Sequence, residues 1–151
     1  MKHSRLFIPF ACLAIFITLI SFSINKSESL TGDVLSQTNQ FRRSKGLTEL
    51  VMLDDLNAIA QKHSADMARG RVGFGHSGFD KRNSMATKQI KSMKSFAENV
   101  AYGAKNGKDV VTMWKNSSGH RRNMLGRYKY IGIGTAKDKQ GRIFYTQVFA
   151  G

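Results

Sequence analysis

Three side chains of this 151-residue sequence have the chemistry of a functional site: His76, Glu98 and His120. His76 lies in the Gly-rich segment VGFGHSGFDK, which favours neither helix nor strand, and Glu98 interrupts the apolar stretch SFAENVAYG. Two imidazoles and one carboxylate are the ligand types of an open zinc site, and either residue type can act as a general base, but the spacing alone carries no metal signature. Successive members are 22 residues apart, so only the fold can bring them together.

A structural interpretation of the same residues stays open. A carboxylate in an apolar stretch needs hydrogen-bond donors, and backbone N–H groups and His76 are the predicted donors for Glu98. In that case Glu98 ties the loops to the sheet and performs no ligand chemistry. Another histidine, His63, falls on the apolar face of a predicted helix, which indicates a packing role for it.

Several helices are predicted from apolar spacing and from their start and stop residues. The first lies between Gly32 and Gly46, and the second runs from Asp54 to Gly70. A short helix is predicted over residues 81–89 and a third main helix over 108–115. The next short helix begins at Ser117 or Ser118 and ends at Gly126, which places His120 in its first turn. The positive end of a helix dipole favours the neutral imidazole there.

The C-terminal part of the chain predicts a β-hairpin of residues 128–136 and 142–150, joined by a turn over 138–141. Both faces of this hairpin carry apolar side chains, so both must be covered by other elements. We therefore expect an α+β fold, a three-layer α-β-α sandwich with a small, largely antiparallel sheet.

The N-terminus predicts export. Lys2 and Arg5 precede an uncharged, largely apolar run over residues 6–24, which indicates a signal peptide or N-terminal membrane anchor over residues 1–25. A linker over 26–31 and one domain over 32–151 follow. Both alternatives leave the domain exported, that is secreted, periplasmic or anchored on the outer side of the cytoplasmic membrane. The single cysteine, Cys12, lies in the apolar run, so the domain has no disulfide and fits a bacterial envelope protein better than a disulfide-rich animal secretion.

The charge of the chain predicts attraction to polyanions. Its formal net charge is +14, and removal of Lys2 and Arg5 with the leader leaves +12. An exported domain meets anionic cell-wall polymers, lipid head groups and envelope proteins first. Because the basic residues are scattered, solubility with weak surface attraction is the simpler interpretation. Nucleic acid is an unlikely partner, since neither a groove-reading helix nor an aromatic-basic stacking pattern is present.

The order of the motifs HSGFDKR, AENVAYG, MWKNSSGHRRNML, IGIG and YTQVFA resembles a bacterial member of the CAP superfamily. That superfamily includes cysteine-rich secretory proteins, insect venom antigen five and plant pathogenesis-related proteins. The resemblance covers about residues 35–150 and implies the α-β-α sandwich of the CAP type.

Eukaryotic members carry a cleft with two histidines and two glutamates that can bind a divalent metal. The resemblance places His76 and Glu98 at two of these positions, whereas Ser117 and Phe144 stand where the second glutamate and second histidine belong. Bacterial relatives carry a Ser-x-Gly-His-Arg motif, here residues 117–121, and its His120 is the imidazole available to complete a zinc site with His76 and Glu98. By polarity, the cleft lining is predicted to include Ser77, Ser117, Ser118, Tyr145 and Gln147.

Three classes of function remain. We favour an envelope binding module, in which the cleft and the basic surface hold a wall polymer, a lipid or a protein. A metal-assisted or acid-base hydrolase is the second class, and a purely structural domain retained at the wall by its charge is the third. The first is preferred because the chain shows no complete catalytic constellation and no nucleophile signature such as Gly-x-Ser-x-Gly. Enzymatic activity is left undecided.

Overall fold

The computed structural model describes residues 29–151, which form five helices and four strands. The elements, in chain order, are α1 (Leu30–Arg43), β1 (Val51–Met52), α2 (Asp54–Ala68), α3 (Phe79–Gln89), β2 (Phe96–Tyr102), α4 (Gly107–Asn116), α5 (Ser118–Met124), β3 (Tyr130–Lys137) and β4 (Ile143–Ala150). The predicted leader lies outside the described residues. α1 begins inside the predicted linker, because the Ser29 hydroxyl accepts a hydrogen bond from the Gly32 N–H and caps the helix.

The sheet has the strand order β1-β3-β4-β2. β4 is antiparallel to both of its neighbours, whereas the two-residue β1 pairs in parallel with β3. Helices α1, α4 and α5 cover one face with the largest apolar core, and α2 and α3 cover the other. The predicted α+β sandwich with a largely antiparallel sheet is confirmed, and β1, which the sequence analysis did not include, makes the sheet mixed.

The close contact between α2 and β3 depends on two glycines. A Cβ added at Gly132 would lie 2.2 Å from the backbone carbonyl carbon of Leu56, and one at Gly134 would lie 2.2 Å from the backbone nitrogen of Gln61. The Ser64 hydroxyl donates to the Gly134 carbonyl at 2.9 Å. Since both glycines lack a side chain, α2 packs directly on the backbone of β3 and holds its buried face close to the sheet.

β2 is an edge strand, but side chains of α4 and α5 close its outer edge. The indole Nε1 of Trp114 donates to the Val100 carbonyl at 3.2 Å, and the Nδ2 amide of Asn123 donates to the Glu98 carbonyl at 3.1 Å. These bonds satisfy backbone groups that an edge strand otherwise leaves open. They also fix the part of β2 that carries Glu98. Among residues 29–151, no helix combines the length and the apolar character that a membrane span requires.

Candidate functional site

The Glu98 carboxylate is wholly buried and is the centre of a charged cluster on the α2–α3 face of the sheet. Arg82 of α3 binds both of its oxygens, with Nε 2.5 Å from Oε2 and Nη2 2.7 Å from Oε1. The imidazole Nδ1 of His76 lies 2.9 Å from Oε1. A carboxylate with two donors on one planar guanidinium and a third donor from a ring has its charge balanced inside the protein.

Arg82 also fixes the Gly-rich segment that carries His76. Its Nη1 donates to the Ser77 carbonyl at 2.8 Å, and its Nη2 lies 3.4 Å from the His76 carbonyl oxygen. Of the donors that the structural interpretation predicted for Glu98, His76 is observed and the backbone N–H groups are not, and the main donor is Arg82, which was not predicted. A signal was available, because Phe79, Arg82 and Ala86 share one face of α3. A buried arginine needs hydrogen-bond acceptors, and a buried carboxylate such as Glu98 is one candidate beside backbone carbonyls, which serve Arg42.

His76 is tied to Glu98 on one side and open on the other, with 48% of its side chain exposed. Beside the Arg82 guanidinium the carboxylate acts only as an acceptor, so Nδ1 of the imidazole carries the hydrogen. In the neutral ring this leaves the lone pair on Nε2. A histidine oriented in this way can accept a hydrogen bond or a proton from a ligand.

His63 of α2 lies behind the same cluster. Its Nε2 is 2.8 Å from the Gly75 carbonyl oxygen, to which it donates, and 3.9 Å from Oε1 of Glu98. Burial lowers the pKa of His63, and the hydrogen bond to Gly75 opposes that shift only in part. The prediction of a buried packing histidine is confirmed.

A cleft of about 490 Å³ lies at the outer edge of β2, between the His76 segment and helices α4 and α5. We call it the β2 cleft, and its lining residues are Phe74, Val100, Ala101, Tyr102, Met113, Trp114, Ser117 and His120. Three of the five large hydrophobic side chains that the described residues expose, Phe74, Tyr102 and Met113, meet here. An exposed apolar patch concentrated in one concave site marks a binding surface.

Aromatic rings form one end of the β2 cleft. The ring centroids of Phe74 and Tyr102 are 4.8 Å apart with edge-to-face geometry, and Tyr102 stacks on Phe144 at 5.4 Å. The guanidinium carbon of Arg142 lies 5.9 Å from the Tyr102 ring centroid. Phe144 stands at the position where the CAP resemblance expects a second histidine, so apolar contacts replace a metal ligand at that point.

His120 lines the β2 cleft from α5. Its pKa is lowered, first by burial and then by the positive charge that His76 acquires on protonation. The neutral imidazole predicted for this position therefore agrees with the structure, although burial is the main cause. His76 and Glu98 are not among the residues that line the β2 cleft, and the Glu98 carboxylate is wholly buried.

The five polar residues predicted to line the cleft lie in four different surroundings. Ser117 lines the β2 cleft, whereas Ser77 lines a different pocket, between α2 and α3, and Ser118 is exposed on α5 outside both. Tyr145 and Gln147 were placed wrongly by the polarity argument. Both are completely buried on the opposite face of the sheet, where the Tyr145 hydroxyl donates to the Ala104 carbonyl at 2.9 Å and burial raises its pKa to about 12.

The described residues do not fit the predicted zinc site. Within residues 29–151, no three His, Cys, Asp or Glu side chains are grouped as metal ligands. Both oxygens of Glu98 are taken by the Arg82 guanidinium, and the imidazole contact is made through the protonated Nδ1 of His76. A metal ligand must present a lone pair, and Nδ1 of His76 presents none toward Glu98.

Comparison with known proteins agrees with this architecture. Residues 35–149 match the model of the cysteine-rich secretory protein family, CAP. The uncharacterized protein YkwD of Bacillus subtilis (strain 168) is 35% identical over 125 residues, which are 78% of this chain and 46% of YkwD. The chain thus spans about half the length of this relative.

Two solved structures share the fold. An extracellular protein containing an SCP domain from Bacillus anthracis str. Ames gives a TM-score of 0.68 at 26% identity, over 80% of this chain and 40% of that protein. An outer surface protein from Borrelia burgdorferi gives 0.64 at 20% identity, over 78% of this chain and 88% of that one, and supports the fold alone. With the family match over residues 35–149, these similarities show that the chain belongs to the CAP family, as one of its bacterial members.

Proposed function

We propose that this protein is an exported cell-envelope binding module whose β2 cleft holds an anionic cell-wall polymer. The convergence of Phe74, Tyr102 and Met113 in one cleft is the observation that carries the proposal. A sugar ring has an apolar C–H face that packs on aromatic side chains, and its polar groups can bond to Ser117 and His120 at the same site.

Charge supports an anionic ligand over a neutral one. Residues 29–151 contain 21 basic and 9 acidic side chains, a net charge of +12. Such a surface raises the local concentration of polyanions and speeds their association, although it does not by itself select one. Export is supported by the predicted leader over residues 1–25 and by the similar structure from Bacillus anthracis str. Ames, which is described as an extracellular protein.

Co-sedimentation with bacterial cell-wall sacculi tests the proposal. The comparison uses sacculi that carry anionic polymers and sacculi stripped of them, at about 0.15 M and about 1 M salt. Because the Debye length falls from about 8 Å to about 3 Å over this range, purely electrostatic attraction disappears at high salt. We expect the protein to retain part of its binding to the intact sacculi at the higher salt concentration.

Two matched substitutions locate the contact. Phe74→Ala removes an aromatic ring of the β2 cleft, whereas Met85→Ala removes an exposed apolar side chain from α3 outside it. We expect reduced binding from the first variant and wild-type binding from the second. If binding vanishes at high salt and both variants bind equally at low salt, the cleft proposal is wrong and the domain is held at the wall by charge alone.

A hydrolase is the second candidate, and the His76–Glu98 pair is the observation that favours it. The half-exposed imidazole has its Nδ1–H directed to a buried carboxylate, the arrangement that prepares Nε2 as a general base. Incubation of intact sacculi with the protein, followed by assay of released reducing ends and amines, measures the activity. Release by the wild type that is lost in His76→Gln supports hydrolysis, and no release above that of His76→Gln excludes it.

A further inference from the structure

The CAP resemblance implies a divalent metal beside His76 and Glu98, but the chain places a cation of its own there. The Arg82 guanidinium lies with Nε 2.5 Å and Nη2 2.7 Å from the two carboxylate oxygens. Only 10% of the Arg82 side chain and none of the Glu98 side chain is exposed. The contact is therefore a two-point ion pair inside the protein.

This ion pair completes the polar bonding of the cluster. No buried side-chain nitrogen or oxygen among the described residues lacks a hydrogen-bond partner. A metal ion at Glu98 would have to displace the guanidinium or share the carboxylate with it, and two positive charges at that distance repel strongly where water is excluded. The chemistry of the donor set thus disfavours a metal at this position.

The guanidinium also differs from a metal in its effect on His76. A metal binds the lone pair of an imidazole nitrogen, whereas a carboxylate already paired with arginine accepts the Nδ1–H of His76.

We propose that the Arg82 guanidinium takes the place of the metal ion that the CAP resemblance implies. It supplies the positive charge at Glu98, so that no metal is needed there, and it positions His76 with Nε2 available. This inference does not depend on the identity of the ligand in the β2 cleft.

The geometry also indicates what Arg82 prevents. Nδ1 of His76 and Nε2 of His63 lie 2.9 Å and 3.9 Å from the same oxygen of Glu98. Without the guanidinium, two imidazoles and a carboxylate remain, which are the ligand types of an open zinc site, but in their present positions they form no metal-ligand group and Nε2 of His63 donates to Gly75, so both rings must turn to bind zinc. Because removal of the Arg82 charge frees both oxygens of Glu98, it is expected to raise the zinc affinity of this cluster above that of the wild type.

Calorimetric titration with zinc chloride, together with thermal unfolding with and without zinc, tests the proposal on the whole exported domain. Arg82→Gln removes the charge and keeps one hydrogen-bond donor, while Arg82→Lys keeps the charge. We expect zinc to bind Arg82→Gln more tightly than the wild type by on the order of 10- to 100-fold, as changes around metal ligands commonly produce. Arg82→Lys should respond to zinc as the wild type does, and the double variant Arg82→Gln/Glu98→Gln should lose the gain.

Two results would overturn the proposal. One is stoichiometric zinc binding by the wild type that disappears in Glu98→Gln, because the carboxylate would then be open to a metal in the presence of Arg82. The other is an Arg82→Gln variant without any gain in zinc affinity or zinc-dependent folding. If the wild type binds zinc and Glu98→Gln binds it equally well, that zinc lies elsewhere on the surface. The proposal is then decided by whether Arg82→Gln binds additional zinc.

Discussion

The Arg82–Glu98 ion pair makes the sharpest stability prediction. Both charged groups are buried, so removal of either one leaves the other without a counter-charge. Loss of one partner of a buried pair costs about 3–5 kcal/mol, a large part of the about 5–15 kcal/mol that stabilises a typical domain. We therefore expect Arg82→Met and Glu98→Gln each to lower the free energy of unfolding by that amount.

Urea denaturation measures this cost. With a denaturant dependence of about 1–3 kcal/mol per molar urea, a loss of about 3 kcal/mol moves the midpoint by about 1–3 M. The double variant Arg82→Met/Glu98→Gln contains no unpaired charge, so its loss should be smaller than the sum of the two single losses, with a coupling energy of about 2 kcal/mol or more.

Arg43→Met is the matched control, because the Arg43–Glu49 pair has the same residue types but both side chains are about half exposed. Its loss should remain within about 0.5 kcal/mol. If Arg82→Met costs no more than Arg43→Met, or if the two single losses are simply additive, Glu98 does not depend on Arg82 and the description of the cluster is wrong.

Three further predictions concern packing, pH and the closed edge of β2. Gly134→Ala places a Cβ against α2 and should destabilise the domain by about 1–3 kcal/mol or more, measured by thermal unfolding. The control Gly119→Ala places its Cβ in open space and should not destabilise the domain, and equal effects of the two substitutions would contradict the close packing. The pKa of His63 is lowered by burial, so the unfolded chain binds its proton first and stability should fall as the pH is lowered through about 6.5, the ordinary histidine value. Urea denaturation at several pH values should show a shallower fall in the stability of His63→Asn than in that of the wild type. Parallel curves for the two proteins would show that His63 does not cause the fall. Trp114→Phe leaves the Val100 carbonyl without its donor and should lower the free energy of unfolding by about 1–3 kcal/mol. Thermal unfolding followed by circular dichroism measures this loss, and an unchanged melting temperature would show that the hydrogen bond contributes nothing.

Elements with a local pattern were predictable from the sequence. α2 and the β3–β4 hairpin were expected because their apolar spacing and turn residues are complete within each segment. β1 was missed because two residues carry no periodicity, and its pairing with β3 joins segments that are far apart in the chain. β2 was left unassigned, since its seven residues include Glu98 and Asn99, which are unusual in a strand.

The contacts of the candidate site residues could not be predicted from the sequence. His76, Glu98 and His120 were identified, yet the sequence did not indicate which face of the sheet Glu98 occupies. That face follows from the register that pairs Glu98 with Val148, and it puts Tyr145 and Gln147 on the other side of β4. The partnership of Arg82 with Glu98 depends on how α3 lies over β2, which is a property of the tertiary fold.

The central claim is that a ligand occupies the β2 cleft, and Trp114 can report it directly. Trp114 is the one tryptophan of the sequence and it lines the cleft. Titration of the protein with a soluble anionic wall polymer at high salt should give a saturable change in tryptophan fluorescence, which Phe74→Ala weakens and Met85→Ala preserves. No change in fluorescence, or the same change in both variants, would contradict the claim.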